Sequence, residues 1–259
     1  MGNYSAEKWS NRKVRLLQKS ACLSFCLTGC LLVSGLTVSS SSQPKAYSAT
    51  DDSSLQPDSV IKAFDRTQRA REAAIAGYSA TEHYTVRRNG SQEAGAELTA
   101  RSTYSRDKGK DFQVLSRTGS SFLQSQVLDR VLDHERELYA PENRKKTLLT
   151  TDNYEMKLLP ERETESGQDC YVVQLTPKVK SPTLLDGQAY VDPKTFTVVR
   201  LKGIASASTG IVSGRPDVER DFQLIDGVAM TSHSDLKSKS LLAGETEITI
   251  DISDYKIQH

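Results

Sequence analysis

The chain has 259 residues, of which 37% are hydrophobic and 26% charged, and a formal net charge of +1, an ordinary globular composition with room for one large domain or two small ones. Residues 1–48 hold six of the 34 Lys+Arg and one of the 33 Asp+Glu, leaving 28 against 32, so the rest of the chain is mildly acidic. That balance argues against a nucleic-acid binder, which needs a basic surface.

At the amino end, Lys8, Arg12, Lys13, Arg15 and Lys19 precede an apolar run from Ala21 to Val38. A basic region followed by an apolar one is the layout of a secretory signal, here assigned to residues 1–48. Ser24, Thr28, Ser34 and Thr37 dilute the run, which favours cleavage over retention as an anchor. Ala46-Tyr47-Ser48 fits ordinary cleavage, whereas Leu27-Thr28-Gly29-Cys30 has the form of a lipobox and offers a lipid anchor on Cys30. Of the four cysteines, Cys22, Cys26 and Cys30 lie in this segment. Cleavage leaves Cys170 alone in an apolar strand, where it reads as a small buried hydrophobe.

Residues 49–57 end a Ser-rich polar stretch and read as a flexible linker ahead of one domain, 58–259. Val60, Ile61, Phe64, Ala70, Ala74 and Ile75 recur at helical spacing and predict a helix over 59–76. From Tyr78 the period becomes two, and Tyr78, Ala80, Glu82, Tyr84 and Val86 share one side of a strand. Asn89-Gly90 signals a hairpin to a second strand over 94–105, and Phe112 to Ser116 is a third. Ser120 to Tyr139 reverts to helical spacing, with Leu123, Val127, Val131 and Leu138 on one stripe. Strands resume at Tyr154–Leu159, at Cys170–Thr176 ended by Pro177, at Gly187–Val191 and, after the turn Asp192-Pro193-Lys194-Thr195, at Phe196–Leu201. A small, Gly/Ser-rich loop leads to Val218–Ile225, the turn Asp226-Gly227, Val228–Leu236 and a strongly β Glu245–Ile257.

These elements predict an α+β fold, mainly antiparallel β, in which a large sheet curls into a half-open β-barrel with helices against its concave side. The meander from Gln168 to Ile204 is expected to be its back wall, with function on the opposite side, under the helix of 120–139. No catalytic residue, metal site or cofactor is expected. His134, flanked by Asp133 and Glu135, lacks the paired spacing of a helical metal site and reads as a solvated face. Ser232-His233-Ser234-Asp235 holds triad residue types, but neighbours on a strand face opposite ways, and no Gly-x-Ser-x-Gly elbow exists.

The succession of helix, long hairpin, inserted helix, then "DCYVVQLTPK" and above all "YVDPKTFTVVRLKG", resembles the LolA/LolB-like superfamily of periplasmic outer membrane lipoprotein-sorting proteins. The resemblance implies a helix-lidded half-barrel that carries lipid or lipoprotein acyl chains as a monomeric chaperone in outer membrane biogenesis. It implies membrane donor and acceptor proteins as further partners, and neither cofactor nor nucleic acid. The cavity arginine of the lipoprotein carrier finds no matching position. For the lipid groove the expected residues are Leu123, Val127 and Val131 on the inserted helix and Tyr84, Val86 and Phe112 on strands. The competing view of these six is a closed core, and the rival functions are an envelope interaction or sensor module without lipid, or a secreted hydrolase with unrecognised carboxylates.

Overall fold

The structure, a computed structural model, describes residues 56–209, 214–240 and 244–259. The signal segment, Cys30 and the linker up to residue 55 therefore lie outside the described residues. Helix α1 (Pro57–Ala74) leads into β1 (Gly77–Arg88), β2 (Ala96–Ser105) and β3 (Gly109–Gly119). A helical insertion follows, and then β4 (Tyr154–Glu165), β5 (Gln168–Pro177), β6 (Leu185–Val191), β7 (Val198–Ala205), β8 (Asp217–Ile225), β9 (Val228–Ser240) and β10 (Gly244–Gln258). All ten strands form one antiparallel sheet in the order β3-β2-β1-β10-β9-β8-β7-β6-β5-β4.

Turn chemistry sets most of the strand boundaries. Asn89 and Gly90 both take positive φ (53° and 70°), as do Asp226 and Gly227 (50° and 78°), the backbone these residue types tolerate best. Asp192 builds the β6–β7 turn with one carboxylate oxygen, which accepts from the backbone N–H of Lys194 at 2.8 Å and of Thr195 at 2.7 Å. Phe196, expected to open the next strand, belongs to that turn instead at φ 56°, and β7 starts at Val198. Between β6 and β7, Gly187 pairs with Gly203, and a Cβ on Gly187 would lie 2.1 Å from the Lys202 carbonyl. Close backbone approach explains glycine there.

The two ends of the described sheet are β3 and β4, so the sheet stays open, and the chain between them has to pass from one edge to the other. It does so through α2 (Ser121–Leu123), a π-helical turn (Gln124–Leu128) and α3 (Asp129–Leu138). The single helix expected over 120–139 is thus broken, because the π turn inserts one extra residue per turn and re-aims the stripe that follows. Helix α1 also begins earlier than expected: Pro57, assigned to the linker, is its first residue, where a missing N–H is harmless and φ is already set. At its other end the Arg106 guanidinium donates to the carbonyls of Glu72, Ala73 and Ile75, at 3.2, 2.9 and 2.9 Å.

The two helices cover different parts of one sheet face. Val60 and Phe64 of α1 pack with Val173, Leu175, Ala189 and Leu201. Leu123, Leu128, Val131 and Leu132 of the insertion pack with Tyr84, Leu98 and Ile248. Each such large side chain closed off from water stabilises the fold by about 1.5–3 kcal/mol. On the other face Cys170 packs with Val172 and Tyr190, fully buried, and burial pushes its thiol pKa up. No helix among the described residues is long and apolar enough to cross a membrane.

Candidate functional site

One row of directly opposed residues runs across nine strands of the sheet: Leu158, Val173, Ala189, Leu201, Arg220, Ser234, Ile250, Tyr84 and Leu98. Directly opposed residues in an antiparallel pair point to the same side, so this row lies on the face that the helices cover. Its flanks are apolar or aromatic and closed by the two cores. Its two polar members, Arg220 and Ser234, sit side by side at the middle, in the zone between the helices.

A cavity of about 210 Å³ occupies that zone. Its apolar wall includes Ile75 beyond α1, Val131 and Leu138 on α3, Val198 and Leu201 on β7, and Met230 on β9. An adjoining space of about 250 Å³ shares His134, Leu138, Thr147, Pro182 and Thr183 with it. Leu185, Val198 and Leu201 of the meander expected to form the back wall line this cavity, as does Ala205 just beyond it. Leu201 pairs with Arg220 and so shares the face that looks into this space.

Polar groups on the wall fall into two sets. Arg71 donates to the Ala229 carbonyl, and Arg144 pairs with Glu72 at 2.8 Å. Glu135 is held by Lys110, which also meets Glu82 at 2.8 Å and lies under the rings of Phe112 and Tyr139. Burial alone would lower the Lys110 pKa, but Glu135, Tyr78 and Glu82 outweigh it and hold the ammonium well above its ordinary value. Lys110 is therefore a structural cation and no free base. The second set has no such partners. Arg220, half-buried, forms no hydrogen bond or ion pair among the described residues, and Gln68 Nε2, on α1, is buried without an acceptor.

His134, expected on a solvated face, is half-buried and lines the cavity. It falls three residues after Val131 and four before Leu138, on the same helical stripe. Burial pushes its pKa below the ordinary imidazole value, and the nearby Arg220 charge acts in the same direction against Glu137 and Glu135. His233 lies on the outer sheet face, its Nδ1 2.7 Å from Asp251 and its Nε2 3.3 Å from Asp235. Ser234 points to the inner face, and Ser232 donates to the Asp221 carbonyl, so the triad residue types do not converge.

Of the six residues expected to line a lipid groove, Leu123, Val127, Val131, Tyr84 and Val86 are buried together in the core beneath α2 and α3, with Phe112 packed against them. Val131 is the one that also reaches the cavity. Arg220 and Gln68 were not anticipated. Their signal was present: Val218, Arg220 and Phe222 alternate around an arginine, and Gln68 follows Val60 and Phe64 at steps of four.

No family model matches the chain, and no curated protein does. Among solved structures it is similar to a LolA superfamily protein from Nitrosomonas europaea, 13% identical over 80% of this chain and 95% of that one, with a TM-score of 0.43. It is also similar to a domain from Vibrio parahaemolyticus described as an outer membrane lipoprotein-sorting protein, 13% identical over 77% and 93%, TM-score 0.44. A DUF1329 family protein from Desulfovibrio piger is 14% identical over 76% and 93%, TM-score 0.38.

Proposed function

We propose that this chain is a non-enzymatic carrier or binding protein that holds an acyl chain of a lipid or lipoprotein between α1, α3 and the sheet. The observation that supports this reading is the cavity itself, about 210 Å³ with a wall that includes Val131, Leu138, Val198, Leu201 and Met230. An apolar space of ~150 Å³ already admits a benzene-sized ligand. Each methylene moved into it from water gains roughly 0.8 kcal/mol, so chain length alone supplies affinity. Val131 contacts the chain. A chain long enough to part α2 and α3 from the sheet would extend along Leu123, Val127, Tyr84, Val86 and Phe112, and the π turn is the weak point that lets it do so.

The signal-like segment supports a carrier of the periplasm or of the cell exterior, free as a monomer after cleavage or anchored through Cys30. Donor and acceptor proteins in the membranes would load and unload it. Organic-solvent extraction of the purified protein followed by mass spectrometry tests the reading. Acyl-chain lipid at close to one equivalent supports it, and a lipid-free protein that takes up no added chain contradicts it.

A second reading, an envelope interaction module, is favoured by one feature. The edge strand β3 exposes Val114 (39%) and Leu115 (51%), with Phe122 (63%) just beyond, beside unpaired backbone groups that invite another strand.

A further inference from the structure

We infer that Arg220 and Gln68 make the cavity selective for an acyl ligand with an anionic oxygen head, a carboxylate or phosphate monoester, seated against β8 at the middle of the sheet. The inference rests on the acyl-chain reading above and adds the head group to it.

Arg220 stands in a row that is otherwise apolar for four residues on one side, and its neighbour there is Leu201. On its other side is Ser234, 3% exposed, whose Oγ has no partner among the described residues. From the facing helix comes Gln68, 7% exposed, with Nε2 unsatisfied. It occupies the third position of the stripe Val60–Phe64–Gln68, so the apolar face of α1 turns polar where it meets the cavity. Arg220 and Gln68 both line this space.

The acceptors that would ordinarily satisfy them are engaged elsewhere. Glu72 is paired with Arg144 and Glu135 with Lys110, and Glu137, exposed on α3, makes no ion pair with Arg220 among the described residues. A guanidinium stays protonated in any protein environment, and a buried donor left unpaired is destabilising. Among the described residues the cavity thus presents donors from α1 and from β8, beside an apolar wall that includes Val131, Leu138, Leu201 and Met230. A carboxylate or phosphate accepts two N–H bonds from a guanidinium fork and a further one from an amide, which a hydroxyl or trimethylammonium head cannot do.

The experiment compares three twelve-carbon ligands, dodecanoate, dodecyl phosphate and 1-dodecanol, titrated calorimetrically into the full, delipidated chain and its variants. Arg220→Met should weaken dodecanoate by about tenfold or more, the loss of one charge-assisted hydrogen-bonding group, and leave dodecanol within about twofold. Gln68→Leu, on the other wall, should weaken the anions severalfold and also spare the alcohol. Circular dichroism confirms that each variant is folded, and Arg220→Lys, which keeps the charge, should retain part of the preference. The stronger of the two anions identifies the head. Equal losses for acid and alcohol, or no loss for either, overturn the inference, as does inorganic phosphate displacing dodecyl phosphate at comparable concentration, since that describes a chain-independent anion site. If none of the three ligands binds, the acyl-chain reading itself fails and takes this inference with it.

Discussion

Lys110 and Glu82 meet at 2.8 Å with their side chains closed to solvent, 2% and 0% exposed. The pair ties edge strand β3 to β1, and Glu135 extends the tie to α3 while the Tyr84 hydroxyl donates to Glu82. Breaking such a pair from one side leaves a buried charge without compensation. Lys110→Met is expected to destabilise the protein by about 3–5 kcal/mol in urea unfolding, and the double variant Glu82→Gln/Lys110→Met by less than the two singles together.

The same carboxylate sets an acid limit. Burial pushes Glu82 up, but the Lys110 charge and hydrogen bonds from Lys110, Ser102 and Tyr84 prevail and hold it below its ordinary value of 4.5. A depressed carboxylate contributes stability that is complete above the ordinary value and is lost as pH falls through the folded one. Urea midpoints should therefore drop below pH 4.5, and Glu82→Gln should flatten that slope. Asp65, also held low through Arg69 and Thr151 against the effect of burial, adds to the same limb.

The two histidines act in opposite senses. For His233, burial lowers the pKa but hydrogen bonds to Asp251 and Asp235 raise it above 6.5 overall, so its contribution is complete below that pH and lost as pH rises through the folded value. His134 is depressed from 6.5, so its contribution is present above that pH and lost on acidification. His233→Asn should lower the urea midpoint more at pH 6 than at pH 8. His134→Asn should raise the midpoint at pH 5 relative to pH 8.

Packing predicts a contrast between two phenylalanines. Phe64 is fully buried under α1 and Phe122 is 63% exposed. Phe64→Ala is expected to lose about 3–5 kcal/mol in chemical unfolding, and Phe122→Ala to stay within about 0.5 kcal/mol of the parent.

Between β6 and β7 the Gly187–Gly203 pair leaves no room for a methyl group. Gly187→Ala should destabilise by roughly 1–3 kcal/mol, with hydrogen exchange raised first in those two strands.

Much of this fold is legible in the chain because its signals are local. Asn89-Gly90 and Asp226-Gly227 announce their turns, and the alternation of β1 carries into the pairing of Tyr84 with Ile250, up to the irregularity between Ser79 and Thr81 where β10 shifts register. The π turn at Gln124–Leu128 is hidden, since its residues keep helical composition and the break depends on what α2 and α3 must cover. The site was hidden for a related reason. Whether Val131 or Leu123 faces a cavity or a packed core depends on which strands, distant in sequence, close around the inserted helices.

An acyl chain held in the cavity should be displaced when a protein side chain fills that space. Ala205 lies on its wall and is fully buried, so Ala205→Phe projects a ring into the space. Binding of 1-dodecanol is measured in the parent and in Ala205→Phe, with circular dichroism and thermal melting as checks on the fold. Affinity should be at least about tenfold weaker in a folded variant, the equivalent of roughly 1.4 kcal/mol. Unchanged affinity in a folded variant would place the acyl chain elsewhere and contradict binding in the cavity.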